Sequence, residues 1–558
     1  MVAPSTGSTQ PRLDPRQTER NFDAFEAAQK RTGRAPIPIP DTARPQVKYD
    51  TKPLFKLTGA SVTGARSISS AAIAATYQPY IGKTVSETDL AAITSKISDL
   101  YRDAGFHLSR AVIPPQEVEN GRIRIQVIEG AIAEIVLKGE RAEQFGVRPL
   151  LAAIAAEHPS RLQTLERHLL LVNDIPGVRI ADTALVEIGG ATGRFRLTIH
   201  LETWRGHLAL GTDNRGTRSV GPWQSYWSSS LNSAIVAGDT FGINLSTIPN
   251  TPRELGFGRV MYDAPVGASG ARLGASAAYS EIRPGDERRL LNTNTRVESY
   301  EIRGSIVPWQ TRETALRLTA AANLNNVTEQ DSLGVQYDDK IRTVSLAADH
   351  QFKDALNGTN YLNVTLRQGL NIFGASRAGD ALLSRDDGSG NFSKVEFSHT
   401  RLQKLSETWS LRISASGQAA SRALLASQEF YLGGAAFGRG FDNGTVSGDN
   451  GLAGVLELRF DQKLNHDFFK SYQLYGFIDS GVVWNFHDGA DDVYSLTSAG
   501  AGVRIFLAHE LLLGAEVAVP LAIHAPTDVR RGPRAIFFLS KAFKFCPDNA
   551  DMACSRPR

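Results

Sequence analysis

From Gly206 to Phe543, apolar and polar residues alternate with a period of two in segments of roughly 10–15 residues. Turns rich in Gly, Asn, Asp and Pro separate them. The segments fall near 206–214, 222–234, 238–248, 254–265, 270–282, 296–308, 312–325, 341–353, 359–373, 391–405, 408–421, 450–463, 471–486, 494–507, 510–521 and 533–543. That makes about 16, an even number, as a closed antiparallel barrel prefers. A soluble β-sandwich or propeller shares the alternation, but its strands are shorter. Trp223, Tyr226, Trp227, Trp309, Phe373 and Trp409 stand near segment ends, as the aromatic girdles of a membrane barrel do. The last segment, Ala535 to Phe543, finishes on an aromatic in the manner of a closing strand. The pattern predicts a membrane β-barrel over 206–543, with 544–558 as a C-terminal tail.

Before Gly206 the period changes. Residues 53–130 read as one α/β unit: a strand at Leu54-Phe55-Lys56-Leu57, and a helix opened by Ser86-Glu87-Thr88-Asp89, a capping pattern. That helix places Leu90, Ile93, Ile97 and Leu100 on one face and stops at Gly105. Arg122 to Val127 alternates as the last strand. Residues 131–205 repeat the plan. Ile132–Leu137 is strand-like, helices cover 148–157 and the region of Leu162, Leu165 and Leu169, and Phe195, Leu197, Ile199 and Leu201 alternate at the close. Two tandem strand–helix–helix–strand–strand units of about 75 residues make an internal structural repeat. Within residues 1–34, Phe22, Phe25 and Ala28 recur at helical spacing in a charged stretch from Asp14 to Arg34. Residues 35–52 hold Pro36, Pro38, Pro40 and Pro45, a density that makes a stiff, extended linker.

Composition narrows this only a little. Net charge is +3 and mean hydropathy −0.21 over 558 residues. No apolar run reaches the roughly 18 residues of a transmembrane helix, whereas membrane strands need only about 9–11 with every second one apolar. The two cysteines, Cys546 and Cys554, both lie in the tail. Their proximity permits a small disulfide loop in an oxidising compartment, and two solvent-exposed thiols fit the same spacing. The opening Met1-Val2-Ala3-Pro4-Ser5 shows neither region of a signal peptide, which an exported chain carries. The expectation is a shifted start or a signal lying outside this sequence.

One pair of charges stands out. The longest gap between segments, about 422–449, follows the eleventh strand and holds Phe430-Tyr431-Leu432-Gly433-Gly434 and Gly438-Arg439-Gly440-Phe441. Loops over about 15 residues are usually functional or disordered. The thirteenth segment holds Phe477-Ile478-Asp479-Ser480-Gly481. There Tyr475, Phe477, Asp479, Gly481 and Val483 share one face, while Leu474, Gly476, Ile478, Ser480, Val482 and Trp484 share the other. The second face is the more apolar and should meet lipid, so Asp479 should point into the lumen. Gly481 leaves room there for another backbone. If the loop folds into the barrel, Arg439 can meet Asp479 through two parallel hydrogen bonds. On spacing alone, an exposed loop arginine and a solvated lumen aspartate account for the same residues.

With those motifs in this order, the chain resembles the two-partner secretion transporters of Gram-negative bacteria, the haemolysin secretion/activation and filamentous-haemagglutinin type. The resemblance covers nearly the whole chain. It implies an N-terminal plug-like helix, a proline linker, two periplasmic POTRA (polypeptide-transport-associated) domains and a 16-strand barrel in the cell outer membrane. The family carries Val-Arg-Gly-Tyr/Phe on the loop after strand eleven and Phe-x-Asp-x-Gly on strand thirteen. Here Gly438 replaces the valine, which predicts a looser loop tip, and Lys544 to Arg558 run on past the usual aromatic end. The resemblance implies that Arg439 and Asp479 pair inside the barrel, with Gly440, Phe441, Phe477 and Gly481 around them, and that the loop is needed for secretion. It also implies a large, unfolded, β-rich exoprotein partner (TpsA-like), met first by the POTRA units. Outer-membrane lipids, periplasmic chaperones and the barrel-assembly machinery are the other implied contacts. The drive would be folding of the client outside.

Other functions fit less well. A barrel-assembly factor of the same superfamily, which inserts proteins into the membrane, shares the Arg-Gly-Phe loop but usually carries more POTRA units. A passive porin needs none. For an enzyme the chain offers no His-Glu-x-x-His and no Gly-x-Ser-x-Gly elbow. Gly82-Lys83-Thr84 resembles the end of a P-loop, but Tyr77 stands at its first glycine. No catalytic residue, cofactor, metal or nucleic acid is expected.

Overall fold

The computed structural model describes residues 16, 18, 19, 22, 49–139, 141–190, 193–486, 493–525, 529 and 531–545. The linker prolines and both cysteines, with the question of their disulfide, lie outside the described residues. So does the N-terminal helix apart from Arg16, Thr18, Glu19 and Phe22, of which the last three are helical. The chain divides into two compact units. One joins the N-terminal segment to the barrel, and the other holds the α/β region up to Thr203.

In the α/β unit, the Ser86 hydroxyl accepts from the Asp89 amide while the Asp89 carboxylate accepts from the Ser86 amide at 2.9 Å. This capping box opens the helix Glu87–Asp103, which buries Ile93, Ile97 and Tyr101 at a spacing of four. Beyond it Gly105 takes φ +90°, a value that suits glycine. The sheet runs Gly59–Thr63, Arg122–Ile128, Arg110–Val112, its centre parallel to the first strand and antiparallel to the last. The strand read at Leu54–Leu57 forms as Pro53–Lys56, but it pairs with Thr84–Ser86 in a separate ribbon. Gly59-Ala60-Ser61-Val62-Thr63 leads the main sheet instead. Its small residues carry almost no alternation, which is why the pattern passes over it.

The second half repeats the order: Ala131–Lys138, Arg194–Thr203, Val178–Glu187. Helices Val147–Ala156 and Leu162–Asn173 cover it through Leu150, Leu151, Ile154, Leu165, Leu169 and Val172. The halves are fastened together. Arg110 grips both oxygens of Glu187 at 2.9 and 3.0 Å, and a Cβ on Gly130 would lie 2.3 Å from the Leu108 carbonyl.

Glu129 closes the first half. One of its oxygens accepts from the Arg66 amide (2.8 Å), the Ser67 amide (2.7 Å) and the Tyr101 hydroxyl (2.8 Å). Burial alone would raise this carboxyl, but the donors outweigh it and hold it below the usual glutamate range. A depressed folded-state value means the stabilisation is complete above the ordinary value and drains as pH falls through the depressed one. Acid below about pH 4.5 should therefore loosen this unit. Glu129→Gln should lower its stability by about 1–3 kcal/mol at neutral pH and flatten that acid limb. Thermal melts of both proteins across pH, followed by helical circular dichroism, check this.

The barrel has sixteen antiparallel strands among the described residues and is closed by pairing of the last, Arg534–Phe545, with the first, Gly206–Asp213. Period-two patterning sets inside from outside. On the thirteenth strand, Phe469–Trp484, Leu474, Ile478 and Trp484 are exposed on the outer face, whereas Tyr475, Phe477, Asp479 and Val483 are buried inside. Strand positions follow the pattern closely, with three differences. The seventh and eighth strands reach further, Thr314–Asp331 and Gly334–Lys353, joined by a tight turn. The ninth ends at Gly369, which leaves Phe373 in a loop. The closing strand continues to Phe545. One girdle residue is corrected: Trp227 is 48% exposed, but its neighbour Tyr226 is 5% exposed and faces inward, as adjacent residues on a strand must oppose.

Candidate functional site

Between the eleventh strand, Trp409–Ala420, and the twelfth, Asn450–Lys463, the chain turns into the barrel. A short hairpin, Phe430–Leu432 with Val446–Gly448, carries the tip. Gly433 and Gly434 leave it at φ +102° and +92°, and Gly438 turns it at +80°. A valine would be strained at such a φ. The Gly438 position is therefore a defined turn rather than a loosened one, and its amide is aimed at Asp479 at 3.0 Å.

Arg439 is buried among three carboxylates from three strands. Its terminal nitrogens reach Glu457 at 2.9 Å and Glu516 at 3.2 Å. Its Nε stands 3.6 Å from Asp479, too far for a hydrogen bond. The expected two-bond fork onto Asp479 is thus corrected. Asp479 takes the Gly438 and Arg439 amides, the latter at 3.3 Å, and the Ser498 hydroxyl. The fork serves the two glutamates. Beneath the guanidinium, 3.9 Å from its carbon, lies the Phe477 ring. Glu457 also faces Arg459 at 2.8 Å and Arg504 at 3.2 Å, and Glu516 accepts from the Tyr475 hydroxyl at 2.8 Å. Buried charge is tolerated when paired and hydrogen-bonded in this way.

Close packing completes the seat. Phe441 is buried with Leu432, Val446, Ala453, Val483 and Leu496. Gly481 does leave space, but the Leu432 side chain fills it rather than a backbone; a Cβ there would meet it at 2.6 Å. The Gly440 amide donates to the Ser498 hydroxyl at 3.1 Å. A Cβ on Gly440 would stand 2.9 Å from the Pro520 nitrogen and 3.0 Å from the Val519 carbonyl carbon. These are backbone atoms of the fifteenth strand and cannot yield. Gly440→Ala should unseat the tip and expose 438–441 to added protease, while the barrel stays folded and heat-modifiable on gels.

A second object sits in the lumen. Phe22 is 0% exposed. Its ring meets Tyr226 edge-on at 6.2 Å and Phe257 at 5.9 Å, with the Arg259 guanidinium 5.4 Å from its centroid. Arg16 and Glu19, paired at 2.8 Å, border a small cavity with Phe257, Ala278, Ser280 and Val297.

Residues 198–505 match the family profile "Haemolysin secretion/activation protein ShlB/FhaC/HecB", and residues 55–130 match "POTRA domain, ShlB-type". The first match spans more than half of the chain. The chain belongs to this family. Similar curated proteins are the heme/hemopexin transporter protein HuxB of Haemophilus influenzae, 24% identical over 93% of this chain and 91% of that one, and the outer membrane transporter CdiB of Escherichia coli, 24% identical over 88% and 82%. Among solved structures, CdiB from Escherichia coli superposes with a TM-score of 0.73 at 19% identity, covering 95% of this chain and 97% of that one. CdiB from Acinetobacter baumannii gives 0.67 at 18% identity, covering 95% and 98%. These likenesses concern the fold. Membership makes this barrel an outer-membrane transporter of two-partner secretion, whose partner is an exoprotein.

Within this secretion-family barrel, Arg439, Gly440, Phe441, Phe477, Asp479 and Gly481 all fall in one neighbourhood. Glu457, Ser498, Glu516 and Arg534 also belong to it; Arg534 bonds the Phe441 carbonyl and pairs with Asp442 at 3.3 Å. Sequence reasoning missed these four. A signal existed for two of them. Glu457 between outward Leu456 and Leu458, and Glu516 between Ala515 and outward Val517, are lone carboxylates on inward faces, as Asp479 is.

Proposed function

We propose that this transporter is a pore stopped by two removable parts, the Arg439 loop tip and the N-terminal helix, and that its exoprotein partner threads the lumen once both withdraw. The observation that carries this is the tip itself. It is seated by charge-assisted contacts and glycine-tight packing, and its hairpin forms a two-stranded sheet of its own apart from the wall. The α/β units face the periplasm in this reading and meet the unfolded partner first. Their three-stranded sheets end in outer strands, of which Val178–Glu187 is long, and an extended client can add to a sheet edge through main-chain hydrogen bonds with little sequence demand. Folding of the partner outside supplies the direction. Transport of this kind calls for no catalytic residue, cofactor or nucleic acid. Its remaining contacts are outer-membrane lipids and, during its own biogenesis, periplasmic chaperones and the barrel-assembly machinery.

Planar-bilayer recordings test the stopper. Wild type should conduct in rare, brief events, and deletion of residues 1–34 should lengthen and enlarge them. Equal conductance of wild type, the deletion and Arg439→Ala, all heat-modifiable, would overturn the plugged-pore reading in favour of membrane-protein insertion.

A further inference from the structure

A second buried ionic cluster gathers the two ends of the same loop. Arg385 comes from the segment between the ninth strand, Thr359–Gly369, and the tenth, Ser393–Lys404. It is 7% exposed. It meets Glu429 at 2.6 Å, Asp449 at 2.7 Å and Asp387 at 2.9 Å. Glu429 stands where the long loop begins its hairpin and Asp449 where the loop ends. Asp449 also accepts from the Leu424 amide at 2.7 Å and the Phe486 amide at 3.1 Å, so one carboxylate ties both legs of the loop and the loop after the thirteenth strand. The neighbouring segment reinforces this. The Ala426 amide donates to the Ser384 hydroxyl at 3.0 Å, the Lys394 ammonium to the Gln428 carbonyl at 3.0 Å, and Leu383 and Phe392 pack with Leu424 and Leu425.

The tip is built differently. Among the described residues its backbone-to-backbone bonds are internal, Gly433 to the Phe437 carbonyl, Gly434 to those of Gly438 and Phe441, and Phe441 to that of Gly438, and its bonds to the wall run to side chains. Gly433 and Gly434 on one side, and Gly444 at φ +69° on the other, separate it from the hairpin. A piece with its own bonds between glycine joints can swing as a body.

We infer that Arg385 is a positioning residue that pins the root of the long loop to the rim, so that the loop opens as a flap over residues 433–445 instead of leaving the barrel whole. This rests on the reading of the tip as a moving stopper, and the two are tested separately. Cys546 and Cys554 are replaced by serine. One variant then carries Ser384→Cys with Ala426→Cys, joined by oxidation across the root. The other carries Asp442→Cys with Arg534→Cys, joined by a short bis-maleimide between tip and wall. Secretion of the exoprotein partner is measured before and after joining. The root-joined protein should secrete as the unjoined one does, and the tip-joined protein should stop. Arrest on joining the root overturns the flap. Continued secretion with the tip joined overturns the stopper itself. Arg385→Met should lower secretion about tenfold by stranding buried carboxylates, and the root disulfide should restore it. A folded Arg385→Met barrel that secretes normally, or one that the disulfide does not restore, counts against the positioning role.

Discussion

Arg439→Ala should insert as a folded, heat-modifiable barrel whose tip is unseated most of the time, so that with residues 1–34 also deleted its conductance in planar bilayers rises well above that of the deletion alone. Removing one member of a buried charge cluster costs about 3–5 kcal/mol, because the groups left behind stay desolvated and unpaired, and that shifts seating of the tip by about a hundredfold or more. Here the carboxylates that lose the arginine's charge are Glu516, left with the Tyr475 hydroxyl, and Asp479, left with the Ser498 hydroxyl. Glu457 keeps Arg459 and Arg504. The substitution also uncovers the Phe477 face on which the guanidinium lies at 3.9 Å. Arg439→Lys should not rescue. A single ammonium on a flexible stem keeps the charge but cannot present two forked nitrogens to carboxylates on different strands while stacking on a ring. Planar-bilayer recordings of both variants, each with residues 1–34 deleted, measure this. A lysine variant no more conductive than the deletion alone would mean that charge alone seats the tip.

Phe22→Ala should leave the loop seated and release the other stopper. Deleting a fully buried phenylalanine ring costs about 3–5 kcal/mol, so the docked fraction of the helix should fall by about a hundredfold. The ring fills the gap between Tyr226 and Phe257 under Arg259, and alanine reaches none of them. Resting conductance in planar bilayers should rise to that of the 1–34 deletion. Tyr226→Ala should act in the same direction from the wall side, whereas Trp227→Ala, on the outward face, should not. Conductance of Phe22→Ala equal to wild type would show that the helix is held by other contacts.

How far the chain could be read follows from where its physics is local. Period-two alternation is local, so strand positions and the inward placement of Asp479 were legible. The capping box at Ser86 was legible for the same reason, since it joins residues three apart. Tyr226 was misread because proximity to a strand end was weighed above parity with Trp227, and parity decides which side of a barrel a residue takes. The partners of Arg439 were the hardest part. Glu457 and Glu516 reach it from two strands while Ser498 on another holds Asp479 and the Gly440 amide beside it, and no spacing along the chain announces such a meeting. The motif pointed to Asp479, which proves to be the amide acceptor, while the guanidinium goes to two glutamates that carry no motif. Gly438 was read as slack in the loop; its positive φ shows instead that glycine is the residue the turn requires.

Site-specific photo-crosslinking during active secretion shows whether the partner passes through the lumen. A photoreactive residue is placed in turn at Tyr475 and Val483, which face inward on the thirteenth strand, at Leu474 and Val482, which face outward, and at Phe537 on the outer face beside the closing seam. The partner should be captured at 475 and 483 and not at the other three. Capture at 537 with none at 475 or 483 would contradict it, and would mark the barrel as a device that hands proteins to the membrane instead of across it.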